Sequence, residues 1–239
     1  MKRMRLDKLL ANMGHGSRKE VKKLLKTGVV RIDGVPAKDG KEQVDPEKQE
    51  VSVFGEVVLY KPFLYLMLNK PQGVISATED EQHRTVLDLL DEGTLMYDLF
   101  PVGRLDKDTE GFLLITNDGQ FSHSLMSPKK HVKKTYYAII AGEVTDEDVQ
   151  AFSDGVTLED GYVTKPGELR ILSKGTISEI ELEITEGKYH QVKRMFEAVD
   201  KKVTFLKRIA IGGLVLDSTL KKGEYRELTV AEHSLLFEG

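Results

Sequence analysis

Cysteine is absent from all 239 residues, which excludes a disulfide framework and thiolate chemistry and makes a reducing cytoplasm the natural compartment. Long apolar runs are missing too, so no segment reads as a membrane span. The start, Met1-Lys2-Arg3-Met4-Arg5, is basic like that of a signal peptide. Asp7, Lys8 and Asn12 interrupt the apolar stretch that would have to follow, and no export signal is expected. Neither G-x-G-x-x-G nor a Walker sequence occurs, which weighs against dinucleotide cofactors and nucleotide hydrolysis. Histidines at 15, 83, 123, 131, 190 and 233 show no i, i+4 pairing, so no metal site is expected. No serine stands in a G-x-S-x-G turn, and no fixed-period repeat or low-complexity tract is visible.

What is present is a globular composition, 40% hydrophobic, enough to build a substantial core. The net charge is −4, but it is unevenly spread. Residues 1–31 hold ten Lys or Arg against Asp7 and Glu20, a net of +8, which leaves −12 for residues 32–239. Such asymmetry fits a solvated basic face or contact with nucleic acid, and charge alone does not choose between them.

In "MRLDKLLANMG", Leu6, Leu9, Leu10 and Met13 fall on one helical face, with Gly14 at its end. Ser17 and Glu20 have capping-box spacing and open a second helix, "RKEVKKLLK". It carries Arg18, Lys19, Lys22, Lys23 and Lys26. "VVRIDG" and "QEVSVFG" then read as short strands. A boundary falls at Tyr60-Lys61-Pro62, dividing residues 1–59 from 60–239. Beyond it, strands are expected at 63–69, 111–116, 134–143, 177–185 and 203–211, and helices at 85–90, from 145, and at 190–199. Phe112-Leu113-Leu114-Ile115 should be a buried strand ended by a turn at Asn117-Asp118-Gly119. Without strict strand–helix alternation, the class is α+β.

Residues 1–59 resemble an S4 RNA-binding domain, in the order "RLDKLLA", "SRKEVKKLLKTGVVRIDG", then short strands. Three further segments, "GRLDKDTEGFLLITNDG", "KKTYYAII" and "ITEGKYHQVKRMF", resemble the signature motifs of RsuA-type pseudouridine synthases, the bacterial ribosomal RNA uridine isomerases. "RIAIGGLVLDSTLKKGEYREL" continues the likeness, so it covers nearly the whole chain. It implies a catalytic domain built on a mixed, largely antiparallel sheet with flanking helices.

By that resemblance Asp106 is the nucleophile, attacking a flipped-out uridine at C6 of the base or C1′ of the sugar. The uracil detaches, turns and rejoins through C5, without a cofactor. Tyr136 is the active-site tyrosine, and Lys193 is the cation that keeps the aspartate ionised. Arg104, His190 and Gln191 are expected to bind or position the substrate, with Leu214 as an apolar lining residue. Arg5, Lys8, the basic helix, Lys133 and Lys134 are expected to hold RNA phosphates, with Lys129 and Lys130 beside them. The implied substrate is a single uridine of 16S rRNA, that at position 516, in free RNA or a small-subunit assembly intermediate. A cytoplasmic monomer is expected. Two readings compete: a synthase acting on 23S rRNA, and a non-catalytic S4-type ribosome-assembly protein, for which Asp106, Tyr136 and the cation would be dispensable.

Spacing alone gives blander readings. Asp106, Asp108 and Asp118 would be turn formers, and Tyr136 a half-buried strand residue. Lys193 would be a solvated lysine opposite the apolar face made by Val192, Met195, Phe196 and Val199.

Overall fold

A computed structural model describes residues 3–95, 97–127 and 130–238. The chain divides into two compact units, residues 1–64 with 91–99, and residues 65–90 with 100–239.

In the first unit, β1 (Met4–Arg5) runs into α1 (Leu6–Asn12), followed by α2 (Arg18–Lys26). Leu6, Leu9 and Leu10 are fully buried, as their spacing requires. The capping box at Ser17 is formed in both directions: Glu20 N–H donates to Ser17 Oγ, and Ser17 N–H donates to Glu20 Oε2 at 2.7 Å. Short strands follow: β2 (Val30–Ile32), β3 (Val35–Pro36), β4 (Gln43–Val44), β5 (Val51–Val53) and β6 (Glu56–Val57). They form a sheet in the order β3-β2-β5-β6, while β4 pairs with β1. Val21 and Leu25 of α2 join the α1 leucines, Val30, Val44 and Val51 in one core. This leaves Arg18, Lys19, Lys22, Lys23 and Lys26 exposed, within an arc of roughly 140° at 100° per residue. Lys8 is also exposed. Arg5 is engaged: its guanidinium grips the fully buried Asp7 carboxylate at 2.6 and 3.0 Å. Helix α3 (Glu92–Leu95) is grouped with this unit.

The second unit is built on a nine-stranded sheet. Its elements are β7 (Tyr65–Lys70), β8 (Phe100–Val102), β9 (Glu110–Thr116), α4 (Gly119–Met126), β10 (Lys134–Ala141), α5 (Asp146–Asp154), β11 (Glu168–Ser173), β12 (Ile177–Ile184), α6 (Gln191–Glu197), β13 (Lys202–Ile211), β14 (Leu214–Val215), β15 (Tyr225–Glu227) and α7 (Val230–Leu235). The strand order is β11-β12-β10-β13-β9-β7-β15, with β14 on β13 and β8 on β9. Every pairing is antiparallel except β9 with β13, where Glu110 and Gly111 lie beside Lys207 and Arg208. Gly111 sits at this seam with φ +101°, and a Cβ there would lie 2.2 Å from the Arg208 carbonyl oxygen. Only glycine fits so close an approach.

Two local expectations change. Residues 85–90 form no α-helix but one 3₁₀ turn, Leu87–Leu89. The Asp88 carboxylate closes it by accepting from the Thr85 N–H at 2.7 Å and hydroxyl at 3.1 Å. Asn117-Asp118-Gly119 is not a bare turn. Asp118 is the N-cap of α4 and accepts from the N–H groups of Gln120 and Phe121, a use of Asp that turn statistics share.

Candidate active site

Asp106 lies in the connection from β8 to β9, which is tied down along its length. Thr109 N–H donates to the Asp106 carbonyl at 3.1 Å, closing a turn. Ser76 exchanges hydrogen bonds with both backbone groups of Leu105, at 2.9 and 3.0 Å, and Gly73 N–H donates to the Lys107 carbonyl. Beneath the turn is Lys70, wholly buried at the end of β7. Its ammonium donates to the carbonyls of Pro71, Asp106 and Thr109 at 3.1, 3.0 and 2.9 Å. Burial pulls this lysine down to about 8, against Asp106, Asp108 and Glu110, which favour its charged form. The turn is therefore held from below by a cation that uses all three of its donors.

Across from this turn, α6 opens at His190, whose backbone is left-handed at φ +48°. The approach to the helix is fixed by Gln191: its side chain accepts from Lys188 N–H at 2.8 Å and donates to Glu186 Oε1 at 2.6 Å. Glu186 in turn accepts from Tyr162 hydroxyl and Lys165 N–H. Gln191 therefore shapes the loop. Tyr189 stacks on His190 with ring centroids 3.8 Å apart.

The two elements meet at a shared cation. Lys193 Nζ lies 3.2 Å from Asp106 Oδ2 and 2.7 Å from Asp108 Oδ1, and His190 Nε2 is 3.6 Å from Asp106 Oδ1. Burial alone would lower the Lys193 ammonium, but its hydrogen bonds to Asp108 and Asp106 outweigh that and raise it. The same hydrogen bond from Lys193 holds Asp108 below the usual carboxylate range. Lys193 is thus no solvated lysine, and Asp108 is more than a turn former: it is the second anchor of the cation.

This cluster borders a cleft of about 480 Å³, within the range of small-molecule sites. Its floor is one face of β10, β12 and β13. Tyr136, opposite Leu182 on β12 and Arg208 on β13, is buried and lines the cleft together with Lys134, Ile184, Leu206 and Arg208. Arg104 is exposed where the Asp106 loop borders the same cleft.

The sequence-derived residues Asp106, Tyr136, Lys193, Arg104, His190 and Gln191 are therefore brought together. Two others are not where they were expected. Leu214 does not line the cleft: it is buried on β14 in the core with Met67, Phe112 and Leu236, because the β13–β14 hairpin turns it inward. Lys134 is no surface phosphate contact, since its place on a central strand buries it and turns it to the cleft floor. Lys133, its neighbour on the opposite face, is partly exposed and paired with Glu183 at 2.9 Å. Lys130 is exposed, and Lys129 lies outside the described residues. Lys70 and Arg208 were missed altogether. Strand parity signals Arg208, which has the phase of Leu206 and Ala210 in β13. Among the described residues, no three His, Asp or Glu converge as a metal site, and no helix is long and apolar enough to cross a membrane.

The RNA pseudouridylate synthase family matches residues 64–198, and the S4 domain matches residues 4–50. An RNA pseudouridine synthase of Bacillus subtilis, YtzG, is 57% identical over 98% of this chain and 99% of its own length. The ribosomal small subunit pseudouridine synthase A of Yersinia pestis is 44% identical, over 96% of each chain. Its namesake from Escherichia coli K12 is 40% identical, over 96% of this chain and 98% of its own. A crystal structure of a pseudouridylate synthase superposes with a TM-score of 0.68 at 39% identity, covering 98% of this chain and 99% of that one. The chain belongs to the RNA pseudouridine synthases of the RsuA type, isomerases that carry an S4 domain ahead of the synthase domain.

Proposed function

We propose that this enzyme converts one uridine of 16S rRNA, at position 516, to pseudouridine, with Asp106 as the nucleophile. One observation carries the reading: the Asp106 carboxylate, 29% exposed, stands at the cleft beside the Lys193 ammonium. An ionised carboxylate beside an open cavity is ready to attack an electrophilic carbon, and a neighbouring cation favours that ionised form. The names of the Yersinia and Escherichia relatives supply the small-subunit target.

In this reading the target nucleotide is flipped into the cleft, at a cost of a few kcal/mol. Asp106 adds to C6 or C1′, the glycosidic bond breaks, and the uracil is rejoined through C5. Tyr136 supplies a ring against the uracil and a phenol near C5. Lys193 holds the nucleophile charged and in place. Arg104 steadies the displaced base or its phosphate, and Gln191 with His190 fixes the mouth of the site. Residues 1–59, with their exposed basic helix, add affinity for surrounding phosphates without reading sequence. The enzyme acts as a cytoplasmic monomer on free 16S rRNA or on a small-subunit assembly intermediate.

The test is tritium release from C5-labelled uridine in 16S rRNA, with pseudouridine mapping in cells that have and lack the protein. Asp106→Asn should fall to background while melting and RNA binding persist; Asp108→Asn should keep measurable turnover. Substantial release by folded Asp106→Asn would move the nucleophile elsewhere, and a missing site in 23S rRNA would change the substrate.

A further inference from the structure

We infer that Lys134 is a substrate-contacting residue, its ammonium donating from the cleft floor to a carbonyl oxygen of the target uracil, with Arg208 behind it as a positioning cation. This rests on the uridine isomerase reading above.

Lys134 is 7% exposed and Arg208 is 4% exposed, and both line the cleft beside Tyr136. Buried cations are ordinarily paired. Among the described residues neither forms a salt bridge, and the charges that act on Lys134 are those of Arg208 and Lys165, both positive. Arg208 Nε is fixed to the Phe112 carbonyl at 2.7 Å, while its Nη2 is buried without a hydrogen-bond partner. The cleft floor thus carries uncompensated positive charge while Asp106, at the cleft wall, is engaged with Lys193. A site built this way is complete only with an electron-rich oxygen in it.

The reaction supplies one. The N1–C1′ bond breaks with its electron pair staying on the uracil, C5 then bonds to C1′, and the net proton transfer is from C5 to N1. Whether Asp106 adds to C6 or to C1′, negative charge collects on the ring carbonyl oxygens. A fixed donor on the floor of the cleft, beneath the bound base, stabilises that charge more than it stabilises neutral uracil. Where that oxygen is O4, the same donor disfavours cytosine, which presents an amino group in its place.

The experiment uses full-length protein and a synthetic 16S rRNA fragment with the target uridine, its 2-thio form or its 4-thio form, under single-turnover conditions. Lys134→Met should lower the rate on natural RNA on the order of 100-fold, with RNA affinity within about twofold, and Lys134→Arg should recover part of the rate. Sulfur is a weaker acceptor, so one thio substitution should slow the wild-type enzyme yet cost Lys134→Met nothing further. A Lys134→Met rate within about threefold of wild type would overturn the inference. So would a loss of affinity matching the loss of rate, which would mark a phosphate contact, or equal thio penalties in both proteins, which would mark a packing role. If the wild-type enzyme converts no uridine either in the fragment or in a small-subunit assembly intermediate containing it, the 16S reading and this inference fall together; if it converts uridine and Lys134→Met does so equally, only this inference falls.

Discussion

Replacing Lys134 with Met should make the larger unit more stable at neutral pH even as it slows catalysis. Burial, then the charges of Arg208 and Lys165, bring this ammonium from the ordinary 10.5 down to about 8. In the unfolded chain it keeps its ordinary value. Between pH 8 and 10.5 the unfolded state therefore binds more protons than the native one, and stability rises with pH across that window. Below pH 8 the full cost of keeping the charge buried is present. A separation of about 2.5 pH units, at roughly 1.36 kcal/mol each, sets that cost near 3 kcal/mol. Met preserves the length and apolar stem without the charge. At about 2–4 °C per kcal/mol for a unit of this size, the midpoint should rise by roughly 6–12 °C at pH 7. The assay is paired thermal melts of wild type and variant at pH 7, 9 and 10.5. Lys70 titrates in both proteins, so their difference isolates Lys134. The advantage should shrink at pH 9 and fall to about a tenth of its pH 7 size by pH 10.5. A midpoint that is unchanged or lowered at pH 7, or a gain that persists undiminished at pH 10.5, would refute the reasoning.

Other outcomes follow from the same structure. Lys193→Met should cut turnover on the order of 100-fold with RNA affinity held within about twofold, because its partners are Asp106 and Asp108; Lys193→Arg should retain part of the rate. Equal losses in binding and rate would reassign it to RNA contact. Gly111→Ala should lose roughly 3–5 kcal/mol by denaturant titration, since it combines positive φ with a backbone collision at the seam; wild-type stability would contradict the close approach. The triple change Lys19→Ala, Lys22→Ala and Lys23→Ala leaves the core contacts of Val21 and Leu25 intact. It should weaken rRNA binding and reduce the log–log salt slope by up to about 2–3, and an unaltered slope would make α2 a merely solvated face.

The parts of the fold that were legible in the sequence are those where local chemistry and burial agree. The α1 leucines, the Ser17–Glu20 box and the apolar runs of β7 and β9 each carry their own signal. The edge strand β11 does not: Leu169 is its one buried residue, too few for alternation to show. The two-residue strands are defined by their partners alone. At the site, Asp106, Tyr136 and Lys193 were found through motif resemblance, since spacing gave only a turn, a strand and a polar helix face. The burial of Lys70, Lys134 and Arg208 was hidden for another reason. A basic residue near a strand end reads as solvated, whereas β10 and β13 lie inside the sheet between β12 and β9, and Lys70 ends β7 beneath the Asp106 turn. By strand parity Lys134 shares a face with Tyr136, Ala138 and Ile140, but its charge signals a surface position.

The parallel seam between β9 and β13 bears on how the enzyme comes alive during folding. Hairpins such as β11–β12 and β13–β14 can close early because their strands are adjacent in the chain. The contacts that bring the chemistry together cannot: Lys193 reaches Asp106 across 87 residues, and Arg208 reaches Phe112 across 96. Closing loops of that length is slow relative to local pairing. Activity should accordingly return last on refolding, after most of the secondary structure, so a turnover assay reports completion of the seam where circular dichroism would already have levelled off.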